Sequence, residues 1–230
     1  MIGIYDYTVI LTYLSLLSAG TGIFVTLSGS GHPYIGVICL LFCGLCDAFD
    51  GKVASMKKDR TDSERKYGIQ IDSLSDLIAF GVLPACIGVA FIRNSALFNG
   101  TIDINGPEWY CTLLKVVLYG FLVLYILTAM IRLAYFNVSE EERQSTETGA
   151  RKYYLGLPVT SASVIFPFVA VLEYLIKADL TILYIATIVL VGILFVCPFK
   201  LRKLGVKGIL VLVAVGLVEF VALLITYFAR

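Results

Sequence analysis

The stretch YTVILTYLSLLSAGTGIFVTLSGSGHPYIGVICLLFCGLC, residues 7–46, runs from Asp6 to Asp47 without an Asp, Glu, Lys or Arg. One break interrupts it, Ser28-Gly-Ser-Gly-His-Pro33. Glycine and proline at that density mark a turn. A membrane-spanning helix needs about 20 mainly apolar residues, and each side of the break supplies them. The stretch therefore predicts two spanning helices joined by a tight turn, over 7–27 and 34–56.

The rest of the chain has the same character. Of its 230 residues, 59% are hydrophobic and 15% charged, with a mean hydropathy of +0.89. A soluble domain is about 45–50% apolar and about 25% charged. The apolar content is enough for about seven spans of about 20 residues, which leaves too little for a separate soluble domain. A net charge of +1 excludes the basic footprint of a nucleic-acid-binding domain, and a disordered or secreted chain is excluded by composition. The fold class is an all-α, polytopic helical membrane protein, with residues 1–230 as a single transmembrane domain. Further spans are expected over 69–92, 112–136, 156–176, 180–198 and 207–229, separated by breaks at 57–67, 93–109, 137–155, 177–179 and 199–206. No Lys or Arg precedes the first apolar run and no cleavage site follows it, so it reads as an uncleaved span and not a signal peptide.

Basic residues orient the map. An N-terminus in the cytoplasm puts Lys52, Lys57, Lys58, Arg60, Arg65 and Lys66 on the same side as Arg132, Arg143, Arg151, Lys152, Lys200, Arg202, Lys203 and Lys207. Arg93, Lys115, Lys177 and Arg230 are left on the other. Such a bias marks the cytoplasmic face. The expected location is the cytoplasmic membrane of a prokaryote, with the N-terminus inside. Cys39, Cys43 and Cys46 share one helical face and read as small packing residues. His32 is a turn residue on the outer side, and Glu219 interrupts the last span, a place for an intramembrane or subunit contact.

Four carboxylates break the apolar rule at the cytoplasmic ends of two spans: Asp47 and Asp50 on the second, Asp72 and Asp76 on the third. Facing lipid, each costs about 2.5–3.5 kcal/mol and the four roughly 10–14. The i, i+3 and i, i+4 spacings put each pair on one helix face, so the four should line a polar cavity. Gly51, Ala54 and Gly68 lie on the same faces and permit close approach of a backbone or substrate. Clustered carboxylates repel unless a cation intervenes, and hard oxygen ligands suit Mg²⁺ or Mn²⁺. Two such ions about 3.5–4 Å apart would clamp a diphosphate and stabilise the charge on its leaving group. The blander reading is a set of interfacial helix-end charges paired with the neighbouring lysines and arginines.

The residues Asp47-Ala-Phe-Asp50-Gly51-Lys-Val-Ala54-Ser55, followed by Gly68-Ile-Gln-Ile-Asp72-Ser-Leu-Ser-Asp76, resemble the CDP-alcohol phosphotransferase pattern D-x-x-D-G-x-x-A-R, a spacer, then G-x-x-x-D-x-x-x-D. Two features depart from it. Ser55 stands where the family has Arg, and the spacer of 12 residues between Ser55 and Gly68 is longer than usual. Lys57, Lys58 or Arg60 is the substitute for the missing charge. Ile71-Asp-Ser-Leu-Ser-Asp-Leu-Ile-Ala-Phe80-Gly81-Val-Leu-Pro84, Arg132-Leu-Ala-Tyr-Phe136-Asn137-Val and Tyr154-Leu-Gly-Leu-Pro158 are similar to stretches of the serine-using subgroup, the phosphatidylserine synthases. The second has Tyr135 in place of Arg. Thr12 and Ser15 fall where relatives show Thr-x-x-Asn, with Ser15 departing from Asn.

The resemblance covers about residues 8–200, leaving the span at 207–229 beyond the family's six-helix core. It implies transfer of a phosphatidyl group from CDP-diacylglycerol, or a CDP-linked ether lipid, to L-serine with release of CMP. By motif position Asp47, Asp50 and Asp72 hold the metal ions, while Asp76 takes the hydroxyl proton and also touches a metal. Gly51, Ala54, Ser55 and Gly68 line the CDP pocket. The lipid tails reach the site laterally between helices. The serine carboxylate needs a cation, with Arg132 first and Arg151 and Lys152 next. The resemblance also implies a homodimer, for which no interface is legible in the residues. Sister enzymes using inositol phosphate or glycerol phosphate are the nearest alternative. An intramembrane prenyltransferase would hold its two acidic motifs far apart, whereas all four acids here fall between 47 and 76. A cation transporter with an acidic intramembrane site is the alternative of another class.

Overall fold

The computed structural model describes residues 3–28, 33–98, 108–146, 153–176, 178–202 and 205–228. Among them the chain forms α1 (Ile10–Leu27), α2 (Pro33–Met56), α3 (Asp62–Asp76), α4 (Leu83–Asn94), α5 (Glu108–Thr146), α6 (Ala162–Ile176), α7 (Thr181–Val196) and α8 (Val206–Phe228). A π-helical segment, Leu77–Val82, joins α3 and α4 into one rod. Seven helical rods result, one for each expected span. Five described helices are long and apolar enough to cross a membrane, Tyr7–Leu27, Pro33–Met56, Asp62–Asn94, Thr112–Arg143 and Lys207–Ile225, while those at Val159–Glu173 and Thr181–Val196 are shorter. His32, Arg151, Lys152, Lys177, Lys203 and Arg230 lie outside the described residues.

Three boundaries differ from expectation. Helix α3 begins at Asp62, inside the expected break, because Thr61 and Glu64 form a reciprocal cap: the Glu64 N–H donates to Thr61 Oγ1 at 3.2 Å and the Thr61 N–H to Glu64 Oε2 at 2.8 Å, satisfying two orphan donors. Helix α5 runs ten residues past its expected end at 136, through a stretch rich in Glu with no Gly or Pro, composition that sustains a helix beyond the bilayer. At 156, where a span was expected to start, the chain is instead irregular. Tyr153–Leu155 (β1) pairs antiparallel with Lys200–Arg202 (β2), in the register Tyr153 to Arg202. Gly156 follows with φ of +73°, and a Cβ there would press on the carbonyl oxygens of Phe195 and Cys197 at 3.0 and 3.1 Å. Only glycine suits that corner, which ties the start of α6 to the end of α7.

Helix α2 is the central element, packed against α1, α4, α6 and α8. A Cβ on its Gly44 would strike the Ser163 side chain of α6, so glycine there sets how closely these two helices approach. Cys43 and Cys46 are buried, as packing residues should be. Glu219 is also buried, at 5% exposure, with neither carboxylate oxygen bonded among the described residues. It points into its own chain rather than outward. Near the N-terminus, Lys57 donates to Asp6 at 2.6 Å and to Glu64 at 2.8 Å. The Lys57 bond holds the Asp6 carboxyl below its ordinary value. The stabilisation is thus present above the ordinary aspartate range and is lost as the pH falls through that lowered folded value.

The π-helical segment has an identifiable cause. Pro84 has no N–H to give to the Phe80 carbonyl one turn back, and a locally widened helix makes room for its ring. The buried Tyr125 hydroxyl of α5 donates to that Phe80 carbonyl at 2.6 Å. Tyr184 of α7 donates to the Pro84 carbonyl at 2.9 Å. Two tyrosines thus hold the rod where it leaves Asp76. Tyr125→Phe keeps the ring and removes the donor. It should lower stability by about 1–3 kcal/mol, the cost of an unsatisfied buried acceptor, measured as an earlier unfolding transition in detergent.

Candidate active site

The acids converge from two helices. Asp47 and Asp50 occupy the last turns of α2, and Asp72 and Asp76 the last turns of α3. One carboxylate oxygen from each of Asp47, Asp50 and Asp72 lies within 4.8 Å of the others. All three residues are half-buried. Asp76, one turn beyond Asp72 on the same face, stands outside that group of three and is buried, at 8% exposure. No described Lys or Arg forms an ion pair with any of the four; the described pairs join Lys57 to Asp6 and Glu64, and Arg143 to Glu140. Helix-end charges neutralised by neighbouring cations are therefore not what these residues are. Three hard oxygen donors held close, with no ion pair to a described Lys or Arg, fit a divalent ion such as Mg²⁺ or Mn²⁺.

The small residues of the motif differ in their surroundings. Gly51 is exposed, and a Cβ there would meet nothing within 4 Å. Ala54 is half-buried and Ser55 exposed; the Ser55 hydroxyl turns back onto the Lys52 carbonyl at 2.7 Å. Gly68 lies under the Arg60 guanidinium, whose Nη2 would sit 2.5 Å from a Cβ built there. Of the three candidate cations on the longer loop, Lys57 is engaged by Asp6 and Glu64 and Lys58 is exposed. Arg60 lies over Gly68 and donates to the Glu64 carbonyl at 3.2 Å, with a buried Nε that has no partner among the described residues.

Arg132 is buried at 5% exposure. Its Nε donates to the Leu157 carbonyl at 3.1 Å, and its guanidinium lies 5.5 Å from the Phe136 ring centre. These contacts tie it to the segment leading into α6. Asn137, one turn further along α5, donates to Ser73 Oγ at 2.7 Å, fastening α5 to the helix that carries Asp72 and Asp76. Thr12 and Ser15 of α1 are buried. The Ser15 hydroxyl has no partner among the described residues, while its carbonyl accepts from Cys43 Sγ at 3.3 Å. Tyr125 and Tyr184, which brace the rod that carries Asp72 and Asp76, are not legible in the sequence as its supports. Pro84 inside a span was the one hint that its helix needed outside support.

Comparison with known proteins places the chain among its relatives. Residues 8–218 match the model of the CDP-alcohol phosphatidyltransferase family. A CDP-diacylglycerol–serine O-phosphatidyltransferase of Helicobacter pylori is 29% identical over 199 residues, 82% of this chain and 72% of that protein. The protein of the same name from Saccharomyces cerevisiae is 29% identical over 156 residues, 64% of this chain and 48% of its own length. An archaetidylserine synthase of Methanothermobacter thermautotrophicus is 32% identical over 152 residues, 66% of this chain and 53% of that one.

Proposed function

This chain belongs to the CDP-alcohol phosphatidyltransferase family, and from that premise we propose that it transfers the phosphatidyl group of CDP-diacylglycerol, or of a CDP-linked ether lipid, to the hydroxyl of L-serine, releasing CMP. The observation that most supports this is the convergence of Asp47, Asp50 and Asp72, none of them ion-paired to a described Lys or Arg. The serine-using names of the relatives support the acceptor. Membership in an enzyme family also displaces the transporter alternative.

Asp47, Asp50 and Asp72 would hold the divalent ions, which supply neutralisation of the diphosphate and of the charge gathering on the departing CMP. Asp76 accepts the proton of the serine hydroxyl as its oxygen bonds to the phosphatidyl phosphorus and the bond to CMP breaks. A base must stand within about 2.6–3.2 Å of the proton donor, and a buried acid beside the open cluster suits that task. Gly51, Ala54 and Gly68 line the nucleotide pocket, with Ser55 at its rim. Arg60 serves the nucleotide phosphates in place of the family Arg absent at Ser55. Arg132 binds the serine carboxylate, for which a planar guanidinium is fitted. The site lies at the cytoplasmic interface of the membrane, as the distribution of basic residues supports.

CMP release by purified protein with CDP-diacylglycerol and Mn²⁺ or Mg²⁺ should require L-serine. Glycerol phosphate and inositol phosphate should not replace it; release with either of them in place of serine would keep the family and overturn the acceptor. The two arginines should also separate. Arg60→Ala should raise the KM for the CDP-lipid by about tenfold, the loss of one charge-assisted hydrogen bond, and leave the KM for serine nearly unchanged. Arg132→Ala should do the reverse. Equal effects of either variant on both constants would remove that division of roles.

A further inference from the structure

We infer that residues 4–9 form a strap that holds the α2–α3 loop, residues 57–61, where Arg60 can meet the nucleotide, with Asp6 as the positioning residue. This rests on the nucleotide contact proposed above for Arg60. The strap runs extended before it turns: Asp6 has φ of −107° and ψ of 157°, and Tyr7–Val9 then close a single 3-10 turn. An extended chain turns alternate residues to opposite sides. Gly3, Tyr5 and Tyr7 are accordingly exposed, while Ile4 and Asp6 are half-buried and Thr8 is buried. Tyr5 and Tyr7 are rings of the kind that membrane interfaces favour. Asp6 stands at the N-cap of the turn, where an aspartate ordinarily accepts from the N–H groups two or three residues on. Its carboxylate makes no such cap bond and reaches Lys57 instead.

The strap is fastened near both ends of the α2–α3 connection. Lys57, the first residue after α2, donates to Asp6 Oδ2 at 2.6 Å and to Glu64 Oε1 at 2.8 Å. Tyr13 of α1 donates to the Ile4 carbonyl at 2.8 Å; with its one hydroxyl proton so placed, it accepts from the Tyr67 hydroxyl at 2.8 Å. Tyr67 is the neighbour of Gly68. Glu64 carries the hold onward. Its Oε2 accepts from the Thr61 N–H and hydroxyl at 2.8 and 3.1 Å, and its carbonyl accepts from Arg60 Nη2 at 3.2 Å. Asp6 thus acts on Arg60 through Lys57 and Glu64. Those two belong to the loop and to α3, whereas Asp6 anchors them from outside. The long spacer gives that anchor a task, since a longer loop gives up more conformations when it is fixed. Lys58 and Asp59 are exposed, so packing does little to choose among those conformations.

The test compares equilibrium binding of CDP-diacylglycerol with the KM for serine. Asp6→Asn should raise the Kd for the CDP-lipid by about fivefold, the upper end for a partly exposed ion pair, and change the KM for serine by less than about twofold. Asp6→Glu should restore the parent Kd. Asp59→Asn removes a charge from the loop itself and should leave the Kd at the parent value. In an Arg60→Ala background, Asp6→Asn should have no further effect on the Kd, because a residue acting through Arg60 has nothing left to position. A full second loss in that background, as a merely structural role would give, or equal effects of Asp6→Asn and Asp59→Asn, would overturn the assignment. Hydrogen exchange reads the strap without substrate: the amides of residues 61–65 should exchange faster in Asp6→Asn while those of α7 keep the parent rate. Unchanged exchange at 61–65 would overturn it as well. Failure of the unaltered protein to bind the CDP-lipid would count against the donor, and the exchange result would then judge the strap.

Discussion

Asp72→Asn should reduce serine-dependent CMP release by about 10²–10³-fold, the scale on which loss of one preorganised electrostatic partner lowers turnover. Asp47 and Asp50 both come from α2, so Asp72 is the member of the close trio that α3 contributes. Without its charge, nothing draws the two helices together around a cation. Asn preserves the side-chain shape, and the half-buried position tolerates it, so the unfolding transition should move little. Chelation of divalent ions from the unaltered protein should abolish release to the same extent. A loss smaller than about fivefold in the variant would be inconsistent with an electrostatic role of that size and would remove Asp72 from the reacting centre.

Asp76→Asn should lower kcat by about 10²–10⁴-fold, the usual contribution of a positioned base, while the Kd for the CDP-lipid changes by less than about threefold. The separation follows from position. Asp76 is buried one turn beyond the cluster and outside its group of three, so it is placed to take a proton without being needed to hold the diphosphate. Equilibrium binding of the CDP-lipid alongside single-turnover CMP release reads the two quantities apart. Parallel loss of binding and turnover would make Asp76 a ligand of the same kind as the other three.

Much of this was legible before any coordinates. The charge-free run from Tyr7 to Cys46 contains its own turn, and α1 and α2 fall on either side of it. Apolar runs delimit spans because lipid leaves the backbone no partner but itself. Helix ends outside the bilayer obey different rules, which is why Thr61 and Glu64 start α3 early and the Glu-rich stretch after 136 prolongs α5. The strands β1 and β2 could not be read, since three residues each are too few for an alternating pattern. At the site, the spacing of the four aspartates indicated shared faces, and the resemblance set Asp76 apart from the other three. Its deeper burial depends on neighbouring helices and was not legible. Nor was it legible that Asp6 and Glu64 engage Lys57, one of the three candidate cations on the longer loop.

Phosphatidyl transfer to serine is followed at the acceptor itself. Purified protein is supplied with CDP-diacylglycerol, Mn²⁺ or Mg²⁺ and isotopically labelled L-serine, and label in the lipid phase is counted against CMP in the aqueous phase. Equimolar appearance of the two, absent in Asp72→Asn, is the expected result. CMP release with no label entering the lipid would contradict it, because the phosphatidyl group would then have gone to water or to another alcohol.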